Sequence, residues 1–396
     1  MLKSLEIQNF RSCVKTHLQL NEPITALVGK NGVGKTNVLQ AIEWLAKTVI
    51  RPEPVEVHSF YRERSPLCLS TLIKLDNSCY DYLLQYKQPD PFKNAKKDDR
   101  LQETLSVTEN GGPKTVLFRR DGEKVLLGDR LTSIRVNRST PAIGALSSLL
   151  PTSDSLQAHL QKLIDSISSV SYYPLVWPKD QSDIIDESQY AKWRAAYVSD
   201  GTIPDPVGFR LLYMWKEDNE LLEEFQSIMG SEGLGLIDSF EVRGLREPHP
   251  GEAKESGETL FLLLFVPSRG VGGSGNPFYF RNLSAGTQRI ISMIVSLLFD
   301  KRSLVLIEQP EDSIHPGLLR KLLDTIRSYS DRTQVVFSTH SPAVLDMLRP
   351  EEVQLVSSPE GQTQIRQLSA DEVSSARQFL QDEGSFSDFC ETLEEL

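Results

Sequence analysis

Gly29-Lys30-Asn31-Gly32-Val33-Gly34-Lys35-Thr36 fills every fixed position of the phosphate-binding pattern G-x-x-x-x-G-K-[ST]. Its chemistry is the cradling of a polyphosphate. Glycines let successive backbone N–H groups turn inward, and a helix that starts at the loop points its positive end at the same charge. Lys35 is placed to reach the β- and γ-phosphates, and the Thr36 hydroxyl to hold Mg²⁺. A second group is Ser303-Leu304-Val305-Leu306-Ile307-Glu308, an apolar run that delivers a carboxylate. Glu308 at its end suits the water shell of Mg²⁺. A third run, Val335-Val336-Phe337-Ser338-Thr339, delivers His340, whose distance from Glu308 suits a γ-phosphate sensor. Finally, Ser284-Ala285-Gly286-Thr287 opens an apolar helical stretch. A small, hydroxyl-bearing turn at a helix start is a second anion site, and the same residues also make an ordinary helix cap.

These groups need elements to hold them. Ile24–Val28 reads as a buried strand ahead of the loop, and Asn37–Leu45 has apolar residues at helical spacing after it. Residues 1–50 therefore read strand, turn, strand, loop, helix. Residues 65–130 read as antiparallel strands, with turns at Asp76–Cys79, Asn110-Gly111-Gly112 and Asp121-Gly122. Residues 140–230 read as mostly helical, broken at Tyr173–Pro178 and Gly201–Pro206. Strands return over 232–280 with a glycine-rich turn at Gly270–Gly275, and helix alternates with strand from 283 onward. Four segments follow: 1–140 with the phosphate loop and an antiparallel lobe, 141–230 as a helical insertion, 231–357 with the remaining site groups, and 358–396 as an acidic tail. Phe379, Leu380, Phe386, Phe389 and Leu393 predict short helices in that tail, packed on the body. The alternation around both phosphate-site strands implies an α/β fold with a mostly parallel core sheet.

A chain of 396 residues, 24% charged and 39% apolar, has the composition of an ordinary globular protein. No apolar run approaches the roughly 18 residues of a membrane helix, and the N-terminus lacks the apolar core of a signal peptide. Four separated cysteines, Cys13, Cys68, Cys79 and Cys390, offer no zinc spacing and favour a reducing cytoplasm. A net charge of −11 argues against indiscriminate binding to DNA or anionic membrane. It leaves room for a local basic face. Lys93, Lys96, Lys97 and Arg100 form one basic cluster, and Arg119, Arg120 and Lys124 another, each read first as a solvated loop. His249 between two prolines reads as a loop residue. No acidic Asp-x-Asp cluster, H-N-H pattern or Ser-His-Asp set accompanies the phosphate site, so its output is expected on another chain.

Taken together, Ile7-Gln8-Asn9-Phe10-Arg11-Ser12, the phosphate loop, Leu283-Ser284-Ala285-Gly286, Glu308 to Glu311, His315-Pro316 and Thr339-His340-Ser341 resemble the ABC-type ATPase heads of the RecF, SMC and OLD lineage. The resemblance spans nearly the whole chain, although residues 50–270 carry no sharp motif. It implies an ABC-ATPase-like P-loop fold, ATP and Mg²⁺ as ligands, and a head-to-tail homodimer in which Ser284 and Gly286 complete the site in trans. Arg11 is the nucleotide-facing candidate from the first strands. In such heads the residue after the Walker B acid is normally a glutamate that serves as base. Here it is Gln309, which can orient water and cannot accept its proton. Three readings stay open: a Glu→Gln exchange introduced to trap the ATP state, a naturally slow switch, or Glu311 as substitute base. The function expected is a regulatory ATPase for a separate effector, a nuclease, in bacterial anti-phage defence. The alternative is a RecF-like clamp on DNA. No membrane partner is expected.

Overall fold

The computed structural model describes every residue except 22, 51–65, 88–99, 129–132, 139, 169, 175–182, 201–206, 249–256, 269–275, 300–302, 330–332, 383 and 394–396. Lys93, Lys96, Lys97, His249 and the glycine-rich and Pro-rich breaks at 270–275, 175–178 and 201–206 fall outside the described residues. Contacts divide the chain into two compact units: residues 1–172, 303–310 and 330–396, and residues 173–302 and 311–329.

The first unit opens with β1 (Leu2–Phe10), β2 (Cys13–Gln19), β3 (Ile24–Val28) and α1 (Lys35–Ile50). β2 adds a strand between the two read from the sequence, and it pairs antiparallel with β1. From Lys15 to Gln19 its burial alternates, with Thr16 and Leu18 inward, the period of a strand with one face on the core. β4 (Leu67–Leu75), β5 (Ser78–Lys87), β6 (Arg100–Glu109), β7 (Lys114–Asp121), β8 (Lys124–Leu127) and β9 (Ser133–Arg135) follow. With β1 and β2 they make an antiparallel eight-stranded sheet in the order β2-β1-β4-β5-β6-β7-β8-β9. Its reversals fall at the expected turns. Asp76, Asn110, Gly111 and Gly122 all take the positive φ that tight reversals demand.

α2 (Ala142–Leu149), α3 (Ser155–Ser168) and β10 (Val170–Tyr173) end this stretch. The helical segment expected over 141–230 is thus divided. α2 and α3 lie in the first unit because Ala142, Ile143, Leu146, Leu160 and Leu163 enter the same apolar core as Tyr82, Leu105 and Phe118 of the lobe. The later helices lie in the second unit.

That unit holds β11 (Ile184–Asp186), α4 (Glu187–Asp200), α5 (Val207–Glu217), α6 (Asn219–Met229), β12 (Ile237–Pro248), β13 (Gly257–Pro267) and α7 (Ala285–Phe299). The strands form an antiparallel sheet ordered β11-β13-β12. Trp193 of α4 stacks on Tyr197, with ring centroids 5.3 Å apart, and Tyr197 meets Phe299 of α7 at 5.0 Å.

From here helix and strand alternate as the sequence predicts: β14 (Leu304–Glu308), α8 (Pro316–Ser328), β15 (Gln334–Thr339), the short α9 (Pro342–Leu345), β16 (Val353–Ser357) and β17 (Gln364–Gln367). Apart from α8, which belongs to the second unit, these complete the first. Its core sheet runs β10-β14-β15-β3-β16-β17, with β14, β15, β3 and β16 parallel. Every residue of β3, β14 and β15 is buried. That explains their continuous apolar runs, because parallel strands are covered on both faces. The fold is α/β, with a mostly parallel P-loop sheet and an antiparallel lobe.

The tail forms α10 (Ala370–Gln381) and α11 (Phe386–Thr392). Ser369 caps α10 through the Glu372 N–H, and Glu372 accepts the Ser369 N–H in return. Phe386, Phe389 and Cys390 are buried, and the Ser387 N–H donates to Asp346 Oδ1 at 2.8 Å, so α11 packs on the body. Phe379 and Leu380 stay exposed. Cys13, Cys68, Cys79 and Cys390 are free thiols. No helix among the described residues is long and apolar enough to cross a membrane.

Candidate nucleotide-binding site

Parallel pairing sets the geometry. Thr339 lies opposite Val28, and Glu308 opposite Ser338. Gly29, Gln309 and His340 therefore each leave the carboxyl end of one of three neighbouring strands. Ligands of open α/β sheets sit outside that edge. A depression of about 180 Å³ opens here, lined by Asn31, Gly32, Gly34, Lys35, Thr36, Asn37, Gln309 and Ser338.

Two glycines of the loop are required by close approach. A Cβ on Gly29 would meet the Val356 carbonyl at 2.2 Å, and one on Gly34 would meet Thr363 Oγ1 at 2.0 Å at φ +100°. The floor beneath Gly34 is a directed chain of hydrogen bonds. Asn37 Nδ2 donates to Ser12 Oγ at 2.7 Å, Ser12 to Thr363 Oγ1 at 2.6 Å, and Thr363 to the Val33 carbonyl at 2.9 Å. The Thr363 N–H donates to the Ser12 carbonyl at 2.8 Å. Thr363 was missed in the sequence because its partners lie some 350 positions away, with no local pattern to mark it.

Lys35 is buried, and its ammonium donates to the Gly29 carbonyl at 2.5 Å and the Lys30 carbonyl at 2.8 Å. Both acceptors belong to the loop itself, so the cation lies against the phosphate cradle. Arg11, at φ 52°, sends Nη1 to Asn37 Oδ1 at 3.2 Å and to Gln40 Oε1. Its guanidinium is thus anchored on the first turns of α1.

Glu308 is buried at the end of β14. Gln309 takes a left-handed backbone at φ 42°, fixed by its N–H donating to the Ser338 carbonyl at 2.9 Å. His340 is exposed. Beside Glu308 stands Tyr172 of β10, a residue the sequence did not single out. Burial pushes its phenol well above the ordinary tyrosine value, and the Glu308 carboxylate raises it further. The Thr36 hydroxyl and the Glu308 carboxylate are hard oxygen donors of the kind Mg²⁺ takes. A Cβ on Gly32 would meet nothing within 4 Å, and the depression beside the loop has the room a phosphate chain needs. The residues present fit Mg·ATP.

Ser284, Gly286 and Glu311 belong to the second unit. Ser284 Oγ accepts the Thr287 N–H at 3.1 Å, so this hydroxyl is the helix cap of α7. Gly286 is buried, and a Cβ on it would meet the Ser313 carbonyl of its own chain at 2.2 Å. Close approach within the chain thus already explains this glycine. Arg289, one turn along α7, faces Asp312 at 3.7 Å. Gly286→Ala should cost about 1–3 kcal/mol of stability by overpacking, read as a lower denaturation midpoint without nucleotide. An unchanged midpoint would leave only a role between copies.

Sheet order and phosphate loop define the class: an ABC-type ATPase head of the RecF, SMC and OLD lineage. The profile of the family described as "AAA domain, putative AbiEii toxin, Type IV TA system" matches residues 24–346, and the chain belongs to that family. The Old nuclease of Escherichia phage P2 is 23% identical over 377 residues, covering 87% of this chain and 57% of its own length. The DNA replication and repair protein RecF of Clostridioides difficile is 51% identical over 45 residues, covering 11% of this chain and 12% of its own. The chain thus spans little more than half the length of the Old nuclease and about an eighth of that RecF. A solved structure, the Smc head domain with an extended coiled coil bound to the C-terminal domain of ScpA derived from Pyrococcus furiosus, aligns at 12% identity. It covers 96% of this chain and 99% of its own, with a TM-score of 0.48.

Proposed function

We propose that this head binds Mg·ATP and works as an ATP-gated switch, two copies closing head to tail around the nucleotide. The observation that carries the reading is the depression at the sheet edge, where the phosphate loop and Gln309 face one space. Lys35 and the loop N–H groups hold the phosphates, Thr36 and Glu308 the metal's oxygen shell, and His340 senses the γ-phosphate. Mg²⁺ supplies charge neutralisation at the β- and γ-phosphates. Gln309 orients water and leaves its proton in place, so the closed state is long-lived. Ser284 and the first turn of α7 face the partner copy's nucleotide. The switch controls a separate effector, a nuclease, in cytoplasmic defence against phage. Support for this role is the extended likeness to a protein named as a nuclease and encoded by a phage.

Lys35→Ala tests the site. Removing a buried cation that donates charge-assisted hydrogen bonds of about 1.5–3 kcal/mol each should weaken Mg·ATP binding by about a hundredfold or more in calorimetric titration. Equal affinity would sink the phosphate-loop assignment. A DNA affinity that falls steeply with salt, with no co-purifying effector, would favour a clamp over the switch.

A further inference from the structure

Tyr172 lies on the edge strand of the core sheet, beside the strand that ends in Glu308. Its phenol oxygen is shielded from water, and no hydrogen bond of ordinary geometry closes on it. Buried hydroxyls are rarely left so. Its polar neighbours are the Glu308 carboxylate and the Gln40 amide. The direction of bonding follows from what each group can do. Gln40 Oε1 accepts from Arg11, which turns the amide N–H₂ away from the guanidinium, and that N–H₂ is the group that can donate to the phenol oxygen. The phenol hydrogen is then available, and an ionised carboxylate only accepts.

We propose that Tyr172 is a positioning residue for Glu308: its O–H donates to the carboxylate once nucleotide is bound and aims the carboxylate oxygens at the metal's water shell. Arg11, Gln40, Tyr172 and Glu308 form one relay from the first hairpin to the carboxylate. Arg11 thereby acts on the site through α1 and β10. The assignment rests on the reading of Glu308 as the group facing Mg²⁺. Outer-shell partners of metal-facing carboxylates commonly change metal affinity by about 10–100-fold when removed.

The test is ATP affinity with and without Mg²⁺ for the parent chain and for Tyr172→Phe, which keeps the ring and deletes the donor. The expected result is that the Mg²⁺-dependent gain in affinity falls by about tenfold or more while Mg²⁺-free affinity is unchanged. An equal gain in both proteins, or a parallel loss in both conditions, overturns the assignment. A parent chain that gains nothing from Mg²⁺ overturns the reading of Glu308 itself, and this assignment with it. In a Glu308→Gln background, Tyr172→Phe should have no further effect on the gain, since the two act as one unit. An additional loss there also overturns it.

Discussion

Gln309→Glu should raise steady-state ATP turnover by about 10²–10⁴, the range a positioned general base contributes. The exchange is close to isosteric. Both side chains share the Cβ that makes the φ of 42° costly, so the backbone strain is the same before and after. The N–H anchor to Ser338 is likewise kept. What changes is one atom type facing the depression, from a donor that holds water to an acceptor that takes its proton. Mg·ATP affinity should stay nearly constant, which separates chemistry from binding. If turnover does not move, Gln309 is not the block, and hydrolysis waits for a partner or for DNA. The outcome also bears on Glu311, since a large gain means that it does not already serve as the base. A large gain shows a site built for hydrolysis and held shut by one amide.

The phosphate loop, the β runs ending at Val28, Glu308 and Thr339, and the hairpin turns were legible because each is a local pattern. Apolar runs announce buried parallel strands, and glycine or asparagine announces positive φ. Whatever depends on residues far apart in sequence was hidden. Ser12 meets Thr363 only through the fold, and Tyr172 gains a role only because β10 lies beside β14. The close approach of the Ser313 carbonyl to Gly286 is likewise a contact between residues 27 positions apart that no local pattern marks. α2 and α3 carry helical periodicity that says nothing of which unit they join. Arg120 is the sharpest case. Its neighbours Arg119 and Lys124 are exposed, as a solvated basic cluster should be, and Arg120 is not.

Arg120→Met should cost about 3–5 kcal/mol of stability, the usual penalty for stranding one partner of a buried ion pair. Arg120 Nη1 donates to Glu103 Oε1 at 2.7 Å, with both side chains fully enclosed. The guanidinium also serves the carbonyls of Gly122, Asn137, Arg138 and Thr140. Glu103 accepts in addition from the Tyr82 hydroxyl at 2.9 Å and from the Ala142 N–H at the start of α2. The pair therefore fastens β5, β6 and β7 to α2. Burial pushes the Glu103 carboxyl up, and Arg120 pulls it down. Without Arg120 the folded-state value rises further above the unfolded one, near 4.3. A group raised in this way loses stability as pH climbs through the gap. The deficit of Arg120→Met should accordingly be largest near neutral pH and shrink in acid, where Glu103 takes up a proton. Denaturant midpoints at about pH 5 and about pH 8 read the difference. A deficit independent of pH would mean that the lost carbonyl contacts, and not the stranded carboxylate, carry the cost. Because Arg120 is spent in this way, weakened DNA binding by its variant would report a damaged lobe. Arg119→Ala, on the exposed neighbour, is the fair test of a basic face.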